Sequence, residues 1–160
     1  MAKGQAERLL PMIQEMMAES GIDWSDISKI KVGTGPGNFT GIRIAVALAR
    51  GLALGLNVPA LGVTGFQARA QTISAPDFWV TIPAPRDQIY VQRFGAVAAV
   101  MDRADFDSLG APVFDLTDLT ADALALAIAY AAGDGPRPAP FYLRAADALP
   151  SSDPPPVILP

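Results

Sequence analysis

Histidine and cysteine are both missing from these 160 residues. Without imidazole there is no histidine-held metal, no Ser-His-Asp triad and no imidazole acid–base chemistry. Without thiol there is neither a disulfide framework nor a cysteine nucleophile. A basic surplus is missing too: twelve Lys and Arg stand against sixteen Asp and Glu, for a net charge of −4. The cations are scattered, which argues against a direct, autonomous hold on nucleic acid. No apolar run is long enough to span a bilayer comfortably, since the longest, Ile42 to Leu56, is interrupted by Arg43 and Arg50. The first helical stretch carries Glu7, Arg8 and Glu15 rather than an apolar signal core. These absences lead to the expectation of a cytoplasmic protein with no membrane contact.

An apolar content of 51% with 18% charged residues describes a folded, globular chain. At this length it can bury a real core as one domain or two small lobes. The densest information lies in Val32 to Leu56, VGTGPGNFTGIRIAVALARGLALGL, where a glycine-rich loop runs straight into a long apolar helix. Gly33, Gly35 and Gly37 with Pro36 allow a strand to turn sharply into that helix, and Asn38 or Thr40 can cap it. The N–H groups of its first turn favour an anion, so Gly33, Gly35, Gly37, Asn38, Thr40 and Gly41 form either a tight strand-to-helix turn or a nucleotide or phosphate cradle. No Lys-Ser or Lys-Thr pair follows the glycines, and the spacing is not GxGxxG.

Two helices carry apolar faces. Gln5 to Glu19 places Leu9, Leu10, Met12, Ile13, Met16 and Met17 on one stripe, ended by Gly21. Methionines there suit a core or an adaptable protein surface. In the second helix Ala47, Gly51 and Gly55 recur every four residues, which lets another backbone approach, while Arg43 and Arg50 lie seven apart on one side. A helix apolar nearly all round must be covered on every side. It is either a central buried helix with two solvated arginines or one that also forms a subunit interface.

Ile30 and Val32 alternate with Lys29 and Lys31 as a strand, and Ala60 to Val63 reads as a second. Thr64 to Gln71 begins another helix, and Ser74-Ala75-Pro76 is the candidate boundary between lobes. Phe78 to Ile82 and Ile89 to Phe94 flank the PAPRDQ turn as antiparallel strands, with Ala96 to Val100 as a third. Leu119 to Ala132 is an alanine-rich helix capped by Thr117 or Thr120 and ended by Gly133. The segment SSDPPPVILP has polyproline character, and reads as a frayed terminus or an SH3-like ligand.

The run GTGPGNFTGIRIAVALARGLALGLNVPALGV, Gly33 to Val63, resembles the signature of the TsaB (YeaZ) family, glycoprotease-like paralogues involved in making threonylcarbamoyladenosine in tRNA. The resemblance extends over Glu7 to Ala70 and thins to IYVQRF (Ile89 to Phe94) and FYLR (Phe141 to Arg144). It implies an α/β fold with an actin-like (ribonuclease H-like) first lobe over residues 1–75, a smaller, partly antiparallel second lobe over 76–150 and a proline-rich tail over 151–160. Such chains open with a β-hairpin carrying an Asp-Thr-Ser-like sequence, absent here, so the first lobe is expected to be N-terminally truncated with an exposed strand edge. Where the family has an Asp-Ala-Arg-like segment, this chain has Pro83, Ala84 and Pro85 with Arg86 displaced.

The functional implication is a non-catalytic scaffold that pairs with the catalytic paralogue TsaD, with the ATPase TsaE as a further partner and tRNA reached only indirectly. No residue is assigned a catalytic or metal-binding role. Leu9, Met12, Ile13, Met16, Arg43, Ala47, Arg50, Gly51 and Gly55 form the expected interface, and a homodimer is expected when the chain is alone. ATP or ADP with magnesium enters only in the partner complex. The competing readings are an actin-like ATPase using the glycine loop with Asp87 or Asp102 around magnesium, and a glycoprotease-type hydrolase, for which no Ser-Lys or paired-carboxylate motif is found.

Overall fold

The computed structural model describes residues 4–71, 73, 77–93, 95–110, 113–114, 121–130 and 137–144. Among these the chain runs α1 (Gln5–Ser20), a 3-10 turn (Trp24–Asp26), β1 (Ile30–Gly33), α2 (Phe39–Leu56), β2 (Ala60–Val63), α3 (Gly65–Ala70), β3 (Trp79–Pro83), β4 (Gln88–Arg93), β5 (Ala99–Asp102), α4 (Arg103–Ser108), β6 (Val113–Phe114) and α5 (Ala121–Tyr130).

The helix boundaries follow from local chemistry. Gly21 adopts a left-handed φ of 66°, and the Gly21 and Ile22 N–H groups close onto the last carbonyls of α1. Asn38, rather than Thr40, caps α2, its Oδ1 accepting from the Gly41 N–H at 2.8 Å. Asn57, also left-handed at φ 55°, ends that helix ahead of Pro59. Thr64 begins α3 with a reciprocal capping box to Gln67.

β1 and β2 pair in parallel, Ile30 with Ala60 through Gly33 with Val63, so the two strands around α2 share a sheet as the pattern predicted. Val32 of β1 packs with Val46 and Ala49 of α2, and α5 lies against α3 and β1, with Leu124, Ala127 and Ile128 near Val63 and Ala68. A four-stranded sheet, order β5-β4-β3-β6, forms the rest. The predicted hairpin is present, with β3 antiparallel to β4 and β4 antiparallel to β5, while β6 adds parallel to β3. Alternation along β4 feeds two clusters. Tyr90 joins Phe66, Phe78, Val80 and Ile82 beneath α3, whereas Ile89 and Val91 join Phe106 of α4.

Two elements differ from the sequence reading. The third strand of the meander runs Ala99–Asp102 rather than Ala96 to Val100, because a turn occupies the residues after Arg93, with Ala96 N–H bonded to the Arg93 carbonyl. α4 was not predicted at all. The alanine-rich helix is described as Ala121–Tyr130, and its predicted caps Thr117, Thr120 and Gly133 lie outside the described residues, as do the boundary at 74–76 and the tail.

Candidate functional site

The glycine loop leaves β1 under tight constraint. The Thr34 N–H donates to the Val63 carbonyl at 2.9 Å, and the Thr34 carbonyl accepts from Phe141 at 2.8 Å. Gly35 has φ 101°, and its carbonyl accepts from the Gly65 N–H at 2.8 Å. A Cβ there would lie 2.6 Å from Ile42 Cδ1 and 3.1 Å from the Phe141 carbonyl oxygen. Gly35 is therefore required by both conformation and space. Gly33 serves packing, since a Cβ would come within 3.2 Å of Ile128 in α5. Of the six residues proposed for the anion loop, Gly37 and Asn38 face an open cleft; Gly41 has its N–H taken by Asn38, and Thr40 is exposed in the first turn.

That cleft, about 500 Å³, has three walls: Pro36 to Phe39 from the loop, Pro83 to Pro85 with Tyr90 from the β3–β4 hairpin, and Phe141 to Arg144. The third wall is fixed at several points. Phe141 meets Phe66 edge to face at 6.5 Å, and Phe39 stacks on Tyr142 with ring centroids 4.6 Å apart. Arg43, predicted as a solvated or interface residue, places its guanidinium carbon 3.8 Å over the Phe39 ring and donates from Nε to Tyr142 Oη at 2.8 Å. Aromatic rings and prolines dominate the lining, Arg144 supplies a cation, and no carboxylate lines it among the described residues. Such a surface suits an apolar or planar ligand with limited negative charge.

Asp87 and Asp102 do not line this cleft. Asp102 accepts from Gln88 Nε2 at 3.1 Å, and both carboxylates are exposed at one end of the β4–β5 ladder. The described residues contain no cluster of three or more Asp or Glu able to hold a metal ion.

The expected interface residues gather on α1 and α2, which touch one another. Met12 and Met16 are 42% and 59% exposed, Leu9 and Ile13 are half-buried, and Met17 alone of the stripe is buried. On α2 only Val46, Ala49 and Ala53 are buried. Ala47, Gly51 and Gly55 face outward, and a Cβ at either glycine would meet nothing within 4 Å. Arg50 is half-buried. Leu54, not singled out from the sequence, is 78% exposed on the same face. Along α2 the exposed apolar residues are thus Ala47, Gly51, Leu54 and Gly55, while its other apolar residues are half-buried or buried. At the rim of α1, Arg8 grips Glu15 with bonds of 2.7 and 2.6 Å, and these hydrogen bonds hold the Glu15 carboxyl below the usual carboxylate range.

A family model described as TsaD, tRNA N6-adenosine threonylcarbamoyltransferase, matches residues 1–133. The tRNA threonylcarbamoyladenosine biosynthesis protein TsaB of Escherichia coli K12 is 45% identical over 65 residues, 41% of this chain and 28% of that protein. The protein of the same name from Haemophilus influenzae is 34% identical over 104 residues, 62% of this chain and 43% of that one. The chain thus spans less than half the length of these curated relatives. A crystal structure described as an uncharacterized protein with similarity to peptidase YeaZ, from Pseudomonas aeruginosa, superposes with a TM-score of 0.62 at 26% identity, over 87% of this chain and 84% of that one. The expected α/β fold therefore has a solved counterpart. With the TsaD model matching most of its length and TsaB and YeaZ proteins among its relatives, the chain belongs to the TsaB/YeaZ family.

Proposed function

We propose that this chain is a non-catalytic scaffold in the formation of threonylcarbamoyladenosine in tRNA, acting by pairing with the catalytic paralogue TsaD. The observation that carries this reading is the open apolar face of α1 and α2, with Met12, Met16, Ala47, Gly51 and Leu54 all exposed. Small residues at four-residue spacing on α2 permit close helix approach, and the exposed methionines of α1 suit adaptation to a partner's shape. The TsaB names of the relatives support the pathway; the lack of His and Cys supports the non-catalytic role. TsaE joins as the ATPase partner, tRNA is held by the complex, and in isolation the same face pairs two copies of the chain.

ATP or ADP with magnesium belongs to the complex. Among the described residues no carboxylate lines the cleft. The test is reconstitution: TsaD with TsaE, threonylcarbamoyl donor, ATP and tRNA is assayed for modified adenosine with and without this chain. Modification that needs the chain, with no ATPase or peptidase turnover by the chain alone, is the expected result. Full modification in its absence would overturn the scaffold reading. ATP turnover by the isolated chain, lost on changing Asp87 or Asp102, would favour the actin-like ATPase reading instead.

A further inference from the structure

Arginines far apart in the sequence gather along the open side of α2. Arg43 and Arg50 line one hollow of about 350 Å³ with Ala47 and Pro140, and Arg50 and Arg137 line a second of about 630 Å³ with Leu54 and Asn57. No carboxylate lines either hollow among the described residues, and α2 itself holds no Asp or Glu. The chain as a whole carries −4, so this side has the opposite sign to the molecule. Arg43 is engaged by Phe39 and Tyr142. Arg50 and Arg137 have neither an ion pair nor a hydrogen bond among the described residues. Taking the scaffold reading for which face is covered, we propose that α2 receives a partner helix bearing carboxylates opposite Arg50 and Arg137, and that its positive sign favours such a partner over a second copy of this chain.

Arg50 is half-buried beside the small residues that permit close approach, so a helix seated on Ala47, Gly51 and Leu54 takes water from its guanidinium. A guanidinium dried without a counter-charge is costly, whereas a carboxylate accepts from it through two parallel N–H groups. A second copy brings the wrong sign. α2 packed on α2 about Gly51 sets the two copies' Arg50 side chains on one seam, with no carboxylate from either helix. The acids that a second copy could bring lie on α1, and Glu15 there is already gripped by Arg8. Repulsion against one partner together with attraction to another is how interfaces discriminate.

Arg50→Glu turns this chain into an acidic partner of matching shape. The unaltered chain, the Arg50→Glu chain and their equimolar mixture, one component fluorescently labelled, are compared by sedimentation velocity at about 0.1 M and about 1 M salt, where the screening length falls from about 10 Å to about 3 Å. At the lower salt the mixture is expected to pair at least tenfold more tightly than the unaltered chain alone, an advantage that shrinks at the higher salt. Arg50→Gln, the milder change, should tighten self-pairing and decides the same point if Arg50→Glu does not fold. Arg50→Gln with Arg137→Gln should weaken binding to purified TsaD at least tenfold and flatten its salt dependence, with the circular dichroism of the free chain unchanged. A mixture no tighter than the unaltered chain would overturn the proposal, as would a TsaD complex indifferent to both arginines. Self-pairing that weakens in Arg50→Gln would overturn it too, because α1 of a second copy would then be supplying the carboxylates. An unaltered chain that leaves TsaD unbound would overturn the scaffold reading alone, and the mixed pair would still decide the charge preference.

Discussion

The Phe141 N–H donates to the Thr34 carbonyl across 2.8 Å, tying the end of β1 to a segment far along the chain. One residue on, Tyr142 is held by Arg43 and Phe39 of α2. The late segment is thereby fastened to both sides of the glycine loop, and the cleft wall is as firm as those few bonds. Arg43→Ala removes a cation over an aromatic ring together with a hydrogen bond, and is expected to lower unfolding stability by about 1 kcal/mol. Tyr142→Phe keeps the ring stack and should cost less than Arg43→Ala. Urea unfolding of both variants and the double variant measures the coupling; strict additivity would show that Arg43 and Tyr142 act separately.

Glycines in this chain have opposite tolerances. Gly35→Ala forces a left-handed φ on a residue whose Cβ would press on Ile42 and the Phe141 carbonyl, and a loss of about 2 kcal/mol or more is expected. Gly51 sits inside a helix beside open space. Gly51→Ala should stabilise the single chain by about 1 kcal/mol through helix propensity. Equilibrium unfolding at low protein concentration checks both signs.

The β3–β4 hairpin turns through Arg86 and Asp87, both left-handed at φ 64° and 56°. Neither residue is the glycine such a turn favours. Asp87→Gly is expected to raise stability by about 0.5–1 kcal/mol. The Arg103 N–H bond to the residue 87 carbonyl is a backbone bond and should persist in the crystal structure of that variant. A loss of stability would show that the Asp87 side chain holds the turn.

Arg93 donates to Asp77 from Nε and Nη2 at 2.8 and 2.7 Å, and these bonds hold the Asp77 carboxyl below the usual carboxylate range. A depressed folded pKa contributes stability above the ordinary carboxylate pKa, and that stability is lost as pH falls through the folded value. The pair is solvent-exposed, so the effect is small. Nuclear magnetic resonance titration should show Asp77 moving up toward its ordinary value in Arg93→Gln; an unchanged titration would assign the depression to another group.

Much of the first half was legible because its signals are local. Gly21, Asn38, Asn57 and Pro59 punctuate α1 and α2, and strand alternation marks β1. α4 escaped because RADFDS contains one large apolar residue, Phe106, too little to set a period; its helix is fixed by packing on Ile89 and Val91. The hairpin was placed, but its left-handed Arg86 and Asp87 carry no glycine to announce the turn. The candidate site was half-read. Gly37 and Asn38 stood out, yet Phe39, Tyr90 and Tyr142 meet only through tertiary pairing, and nothing in the local spacing of Phe39 points to Tyr142. The small-residue face was visible as a spacing of four, whereas its exposure depends on which side of α2 covers β1.

The open α1–α2 face is proposed to pair with TsaD. Sedimentation velocity of purified TsaD mixed with this chain or with its Gly51→Leu variant tests it most directly. A leucine side chain at Gly51 enters open space, so the variant should keep its helical circular dichroism while blocking close helix approach. A stoichiometric complex is expected with the unaltered chain and at least a tenfold weaker one with Gly51→Leu, about 1.4 kcal/mol or more of lost association energy. A variant that binds TsaD as tightly as the unaltered chain, or an unaltered chain that does not bind at all, would contradict it.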